Sequence, residues 1–267
     1  MNNVNKTLYI PLYGKAYVSR RGLFLQDPKA EEIWAAEGFP LKGKSASKWL
    51  AFYMGIRAAV FDCWVKEKLE EAGGEETAVI HLGCGMDSRA LRTGTEGCQW
   101  YDVDFPAVIE ERKRYFDESA SCHMVSADVR DGRWLAAIPE CRRAVVVMEG
   151  ITMYLKPEEL QVLIIRLCGH FREVHLLMDC YTEIAAKMSK HKNPINDVGV
   201  TEVYGMDRPE TLETEDFVLV SERDMTPESY IRELQGMEET IFRRLYAGNV
   251  SKKLYRLYEY RKGGNAI

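Results

Sequence analysis

The chain has 267 residues, with 36 Lys and Arg against 41 Asp and Glu, a formal charge of −5. Hydrophobic residues at 46% and charged residues at 29% exclude wholesale disorder, a collagen-like repeat and a disulfide miniprotein. The mildly acidic balance carries no basic footprint, so no nucleic-acid partner is expected.

Met1 to Gly14 lacks a long apolar region and a small-residue cleavage site, so no signal peptide is expected. Asp27-Pro28 starts a helix, with Asp as N-cap and Pro at the first helical position. Residues 46–72 carry helical periodicity and end on Gly73-Gly74, a pair suited to a C-cap. From residue 77 the pattern alternates. Thr77–Leu82, Gln99–Asp104, His123–Ala127, Ala144–Glu149 and Val174–Cys180 read as strands, with helices at 88–93, 105–116 and 157–171 between them. Phe217–Glu222 and Leu254–Tyr260 are further strands flanking a helix at 228–247. Strands alternating with helices imply a doubly wound α/β fold with a mostly parallel sheet covered on both faces. Residues 1–74 form a helical N-terminal cap, 75–180 the core, 181–215 an insert and 216–267 the rest of the sheet. No stretch approaches the roughly 18 apolar residues of a membrane span. The seven cysteines (Cys63, Cys84, Cys98, Cys122, Cys141, Cys168 and Cys180) include no C-x-x-C pair, which suggests neither zinc nor a disulfide framework. A cytoplasmic protein with no membrane partner is expected.

Chemistry-bearing residues gather at the strand ends. His81-Leu82-Gly83-Cys84-Gly85-Met86-Asp87-Ser88 closes the first strand and opens a helix. Gly83 and Gly85 permit a tight turn that lets backbone N–H groups approach a ligand. A dinucleotide fingerprint needs a third glycine where Ser88 stands, and Asp87 would set a carboxylate beside a pyrophosphate. A nucleoside ligand without phosphates fits better, and S-adenosylmethionine is the commonest. Asp104 lies 21 positions after Gly83 (104 − 83), the spacing at which an acid meets ribose hydroxyls; N-capping the next helix is its other reading. Asp128 ends the third strand, where it can accept from an adenine amine while the Val129 N–H bonds a ring nitrogen. Glu149, emerging from an apolar run, needs a cationic ammonium or an arginine. Arg57 falls on the helical stripe Leu50, Met54, Arg57, Phe61, Val65 and needs an anion from protein or ligand, unless it snorkels to the surface. Tyr154 and Tyr181 are taken as lining an acceptor pocket.

Leu82–Asp87, Tyr101-Asp102-Val103-Asp104-Phe105-Pro106, Ala127-Asp128-Val129-Arg130-Asp131 and Met148–Leu155 together resemble the leucine carboxyl methyltransferase family, most closely its bacterial polyketide-type O-methyltransferases. Lys15 to Asp27-Pro28 and Arg57 to Val65 are similar to it as well. The resemblance covers 77–180 well and implies one class I methyltransferase domain over 1–267, using S-adenosylmethionine and releasing S-adenosylhomocysteine. It implies that Gly83, Cys84 and Gly85 wrap the methionyl part, that Asp104 holds the ribose, and that Asp128 and Val129 hold adenine. Glu149 would sit at the methionyl end, with Lys15 and Arg57 on the cofactor carboxylate. Asp102 stands where many relatives carry Glu. The segment 181–215 does not look like the eukaryotic enzyme that methylates a protein C-terminus, and reads as a substrate lid.

The resulting expectation is O-methylation of a small molecule, at a carboxylate, by direct in-line transfer with no catalytic base. A carboxylate is already ionised at neutral pH, whereas a phenol titrates near 10. A non-catalytic S-adenosylmethionine-binding regulator and an NAD-dependent oxidoreductase are the alternatives. The sequence leaves the oligomeric state open.

Overall fold

The computed structural model describes residues 8–41, 43–73, 76–192, 202–248, 251 and 253–263. Gly74, Asn193-Pro194 and the remainder of 193–201 in the expected lid lie outside them.

Seven strands form one sheet: β1 Thr77–Leu82, β2 Cys98–Asp104, β3 Cys122–Ser126, β4 Arg143–Met148, β5 Glu173–Tyr181, β6 Phe217–Arg223 and β7 Tyr255–Lys262. Their order is β3-β2-β1-β4-β5-β7-β6. The first five run parallel, and β7 is antiparallel to both β5 and β6. Among the described residues the α-helices are α1 Tyr9–Arg20, α2 Pro28–Glu37, α3 Lys48–Ala72, α4 Arg89–Thr93, α5 Pro106–Arg112, α6 Pro157–His170, α7 Glu183–Lys192, α8 Glu228–Ile231 and α9 Met237–Tyr246.

Strand alternation divides the core. Val79, Val145, Val147 and Leu177 point to the face covered by Phe52, Phe61 and Trp64 of α3 and Phe242 of α9. Ile80, Val146 and Leu176 point to the other, against Leu160, Leu163, Ile164 and Leu167 of α6. That two-faced burial is why β1, β4 and β5 read as apolar runs. The expected caps are present. The Asp27 carboxylate accepts from the Ala30 N–H at 2.9 Å, and Gly73 closes α3 in the left-handed region at φ +59°. The helix expected at 228–247 is instead two, α8 and α9, parted at Gly236 (φ +59°), a conformation a helix interior does not contain. Among the described residues no helix is long and apolar enough to cross a membrane.

Candidate active site

The C-terminal ends of β1, β4 and β5 open with α1, α3 and α7 onto a cavity of about 800 Å³. Its wall includes Lys15 of α1, Tyr53 and Arg57 of α3, Gly83, Cys84 and Gly85 after β1, Glu149 and Tyr154 after β4, Tyr181 of β5 and Met188 of α7.

The glycine turn is fixed from several sides. Gly83 (φ +67°) and Gly85 (φ +52°) adopt backbone that L side chains rarely enter. A Cβ on Gly83 would lie 2.8 Å from Cδ1 of Ile151, so the loops after β1 and β4 touch because no side chain intervenes. The N–H groups of Gly83 and Cys84 donate to the Val103 carbonyl at 2.8 and 3.3 Å. The Gly85 N–H donates to Oδ2 of Asp104 at 2.8 Å. Behind the turn, Nη1 of buried Arg112 donates to the carbonyls of Gly85 (3.0 Å) and Asp87 (2.7 Å).

A buried ion network forms one end of the cavity. Arg57 donates from Nε to Oε1 of Glu149 at 2.9 Å and from Nη1 to Oδ2 of Asp179 at 3.2 Å. Arg89 bridges Glu149, Asp62 and Asp87. Lys15 lies 3.2 Å from Asp87, which Arg92 meets at 2.8 Å. Burial raises the Glu149 carboxyl, but Arg89 and Arg57 outweigh it and hold the group well below its ordinary range. Arg92, Lys15 and Arg89 likewise outweigh burial at Asp87. At Asp179 burial wins and the pKa is raised, despite Arg57 and the Tyr255 hydroxyl that donates to it at 2.6 Å.

Of the residues singled out in the sequence, Lys15, Arg57, Gly83, Cys84, Gly85, Glu149, Tyr154 and Tyr181 meet at this cavity. Asp104 is buried behind the turn, with its second oxygen accepting from the Phe105 N–H at 2.7 Å. Asp128 and Val129 follow β3 outside the cavity lining: Asp128 is half-buried and paired with Arg130 at 2.5 Å, and Val129 packs in the core. The anion that Arg57 required comes from the protein, as Glu149 and Asp179. Sequence reasoning passed over Asp179, Tyr255 and Tyr53. An acid inside the apolar run Val174–Tyr181 was the available signal for Asp179, the same one that singled out Glu149.

These residues suit the amino-acid end of S-adenosylmethionine, a carboxylate and an ammonium side by side. The cavity brings the cations Lys15 and Arg57 next to the carboxylates Asp87 and Glu149. Among the described residues Nη2 of Arg57 makes no hydrogen bond, and an arginine fork is suited to a carboxylate.

Residues 8–168, more than half of the chain, match the leucine carboxyl methyltransferase family. The chain is 30% identical over 217 residues to the tetracenomycin polyketide synthesis O-methyltransferase TcmP of Streptomyces glaucescens, covering 80% of this chain and 79% of that protein. It is 32% identical over 185 residues to the S-adenosyl-L-methionine-dependent methyltransferase dpfgK of Gibberella zeae, covering 64% of this chain and 62% of the relative. Among solved structures, magnesium protoporphyrin IX methyltransferase from Synechocystis PCC 6803 with bound S-adenosylhomocysteine superposes with a TM-score of 0.53 at 10% identity, covering 93% and 97% of the two chains. That likeness shows a shared class I methyltransferase fold. With the motifs, the sheet order and the sequence match in agreement, the chain belongs to the leucine carboxyl methyltransferase family and is an S-adenosylmethionine-dependent methyltransferase.

Proposed function

We propose that the enzyme methylates an oxygen of a small molecule, and that this oxygen belongs to a carboxylate. The observation that carries the reading is that the Glu149 and Asp87 carboxylates, the Tyr154 phenol and the Cys84 thiol, all lining the cavity, are each held away from taking a proton near neutral pH. Glu149 and Asp87 are held ionised by arginines and Lys15, which makes them poor proton acceptors. Burial pushes the Tyr154 phenol and the Cys84 thiol up, so both stay protonated. His81 turns Nδ1 toward Asp102 at 3.3 Å and sets Nε2 3.5 Å from the Arg89 guanidinium, so both ring nitrogens face protein groups. An acceptor that is already anionic needs no base. The carboxylate in the family's description and the oxygen acceptor in TcmP's name support the same choice.

In this reading Lys15 and Nη2 of Arg57 hold the cofactor carboxylate and Glu149 the ammonium, while the turn at Gly83, Cys84 and Gly85, whose N–H groups are bonded to Val103 and Asp104, packs its backbone against the methionyl chain. Asp104 retains lone pairs for the ribose diol beyond its two backbone bonds. Asp128 and Val129 hold adenine, which requires the Asp128 carboxylate to share itself with Arg130. Bound there, S-adenosylmethionine would supply a methyl group on a sulfonium, with the neutral thioether of S-adenosylhomocysteine as the leaving group. The protein's part is alignment, for which positioning contributes roughly 7–11 kcal/mol. Tyr154 and Tyr181 flank the acceptor, and Ala185 and Met188 of α7, within the insert, close the wall over it.

The test is incubation with S-adenosylmethionine and matched sets of aromatic carboxylic acids and phenols. Methyl esters, recognised by mass and by loss in alkali, are the expected products. Methylated phenols without esters would overturn the carboxylate assignment while leaving the methyltransferase intact.

A further inference from the structure

α3 turns Leu50, Tyr53, Met54 and Arg57 toward the cavity, and the four-residue step places the Tyr53 phenol one helical turn from the Arg57 guanidinium. Tyr53 is 7% exposed. Its ring is held by Tyr246 of α9, with centroids 5.1 Å apart, and by Tyr255 of β7 at 6.2 Å. Three elements far apart in the chain therefore fix one phenol. Its hydroxyl makes no hydrogen bond among the described residues and opens onto the cavity instead.

The neighbouring Tyr255 shows the contrast. Its hydroxyl donates to Oδ2 of Asp179 at 2.6 Å and accepts from Nη1 of Arg57 at 3.1 Å, so it belongs to the ion network. Burial keeps the Tyr53 phenol protonated, and so it faces the cavity as a donor without a protein acceptor. It is absent from the set of residues proposed for the cofactor, and its wall is continued by the rings of Tyr246, Tyr255 and Tyr181.

We propose that Tyr53 is a specificity-determining residue whose hydroxyl donates to the non-reacting oxygen of the acceptor carboxylate and so turns the other oxygen toward the methyl group. The inference rests on the carboxylate reading above and adds the residue that recognises that carboxylate. A hydrogen bond to an ionised oxygen is shorter and roughly twice as strong as one to a neutral group, so the phenol selects an anionic acceptor over its alcohol analogue. The bond is present before transfer and weakens as the oxygen is esterified. Its loss therefore appears in acceptor binding more than in the turnover rate.

Tyr53→Phe removes one oxygen and keeps the ring between its neighbours. With the full chain saturated in S-adenosylhomocysteine, 2-naphthoate and 2-naphthylmethanol are titrated into wild type and variant by calorimetry. The expected result is a loss of naphthoate affinity of about tenfold or more and a smaller loss for the alcohol, with S-adenosylhomocysteine affinity and melting temperature unchanged. Equal naphthoate affinity in the two proteins, or no saturable naphthoate binding to wild type, would overturn the assignment. A parallel fall in S-adenosylhomocysteine affinity would also overturn it, by moving Tyr53 to the cofactor end. Failure of S-adenosylhomocysteine to bind wild type is a separate result, which removes the cofactor-site reading itself.

Discussion

Nε of Arg57 on α3 lies 2.9 Å from Oε1 of Glu149 at the end of β4, and the same guanidinium reaches Asp179 at the end of β5. One side chain thus ties the long helix to two adjacent strand ends. Breaking a buried pair by removing one partner strands the other charge, at a cost of about 3–5 kcal/mol. Arg57→Ala is expected to lose that much stability in urea denaturation, in addition to any loss of cofactor affinity. Arg57→Lys keeps the charge but not the fork and falls between the two. An alanine variant within 1 kcal/mol of wild type would mean that the network contributes nothing to folding.

The Glu149 carboxyl is depressed in the folded state from an ordinary value of 4.5 toward about 2. A depressed acid contributes stability that is fully present above the unfolded value and is lost as pH falls through the folded one. Wild type is therefore more stable than Glu149→Gln at neutral pH, and the gap closes between about pH 4.5 and pH 2. Asp179 acts oppositely: its carboxyl is raised by burial, so protonation at low pH relieves a cost. Equilibrium unfolding of both proteins across that window checks the sign. A gap that stays constant with pH would show that Glu149 titrates normally.

The ends of β1 and β4 were legible because each is an apolar run stopped by Gly83 or Glu149, and burial on both sheet faces writes such runs into the sequence. The order of the last two strands was not, since the insertion of β7 between β5 and β6 is decided by packing and leaves no local mark. Arg57 shows the same division. Its helical position demands an anion, but the choice of Glu149 and Asp179 depends on strand neighbours distant in the chain. The break in the helix expected at 228–247 has its local mark in Gly236, which a single helix over that range spans. Tyr53 carried no signal of its own, because an aromatic on an apolar helix stripe is ordinary core until Tyr246 and Tyr255 are brought against it.

Lys15 separates binding from folding more cleanly than Arg57 does. Asp87, its partner at 3.2 Å, keeps Arg89 and Arg92 when the ammonium is removed. Lys15→Met is therefore expected to leave stability within about 1 kcal/mol while weakening S-adenosylhomocysteine by about tenfold or more, the loss of a hydrogen bond to a charged group. Calorimetric titration of the purified variant decides it. Unchanged affinity would remove Lys15 from the cofactor site.

Gly83 tests how the turn itself is built, because two separable penalties meet there. At φ +67° an alanine pays the left-handed backbone cost of about 1–2 kcal/mol. Its Cβ would also stand 2.8 Å from Cδ1 and 3.1 Å from Cβ of Ile151. The δ-methyl can rotate away, but the Cβ is fixed to the backbone of the loop that carries Glu149, so the collision pushes the two cofactor-facing loops apart. Gly83→Ala should therefore cost more than the backbone term alone and should weaken S-adenosylhomocysteine together with stability. Ile151→Gly removes the Cβ together with the outer atoms of the collision, so in that background Gly83→Ala should cost closer to the backbone term. A double-mutant cycle isolates the difference as a coupling energy between the two loops. A coupling near zero would mean that the turn yields independently of Ile151, and the close approach of the loops would then not be what demands glycine at this position.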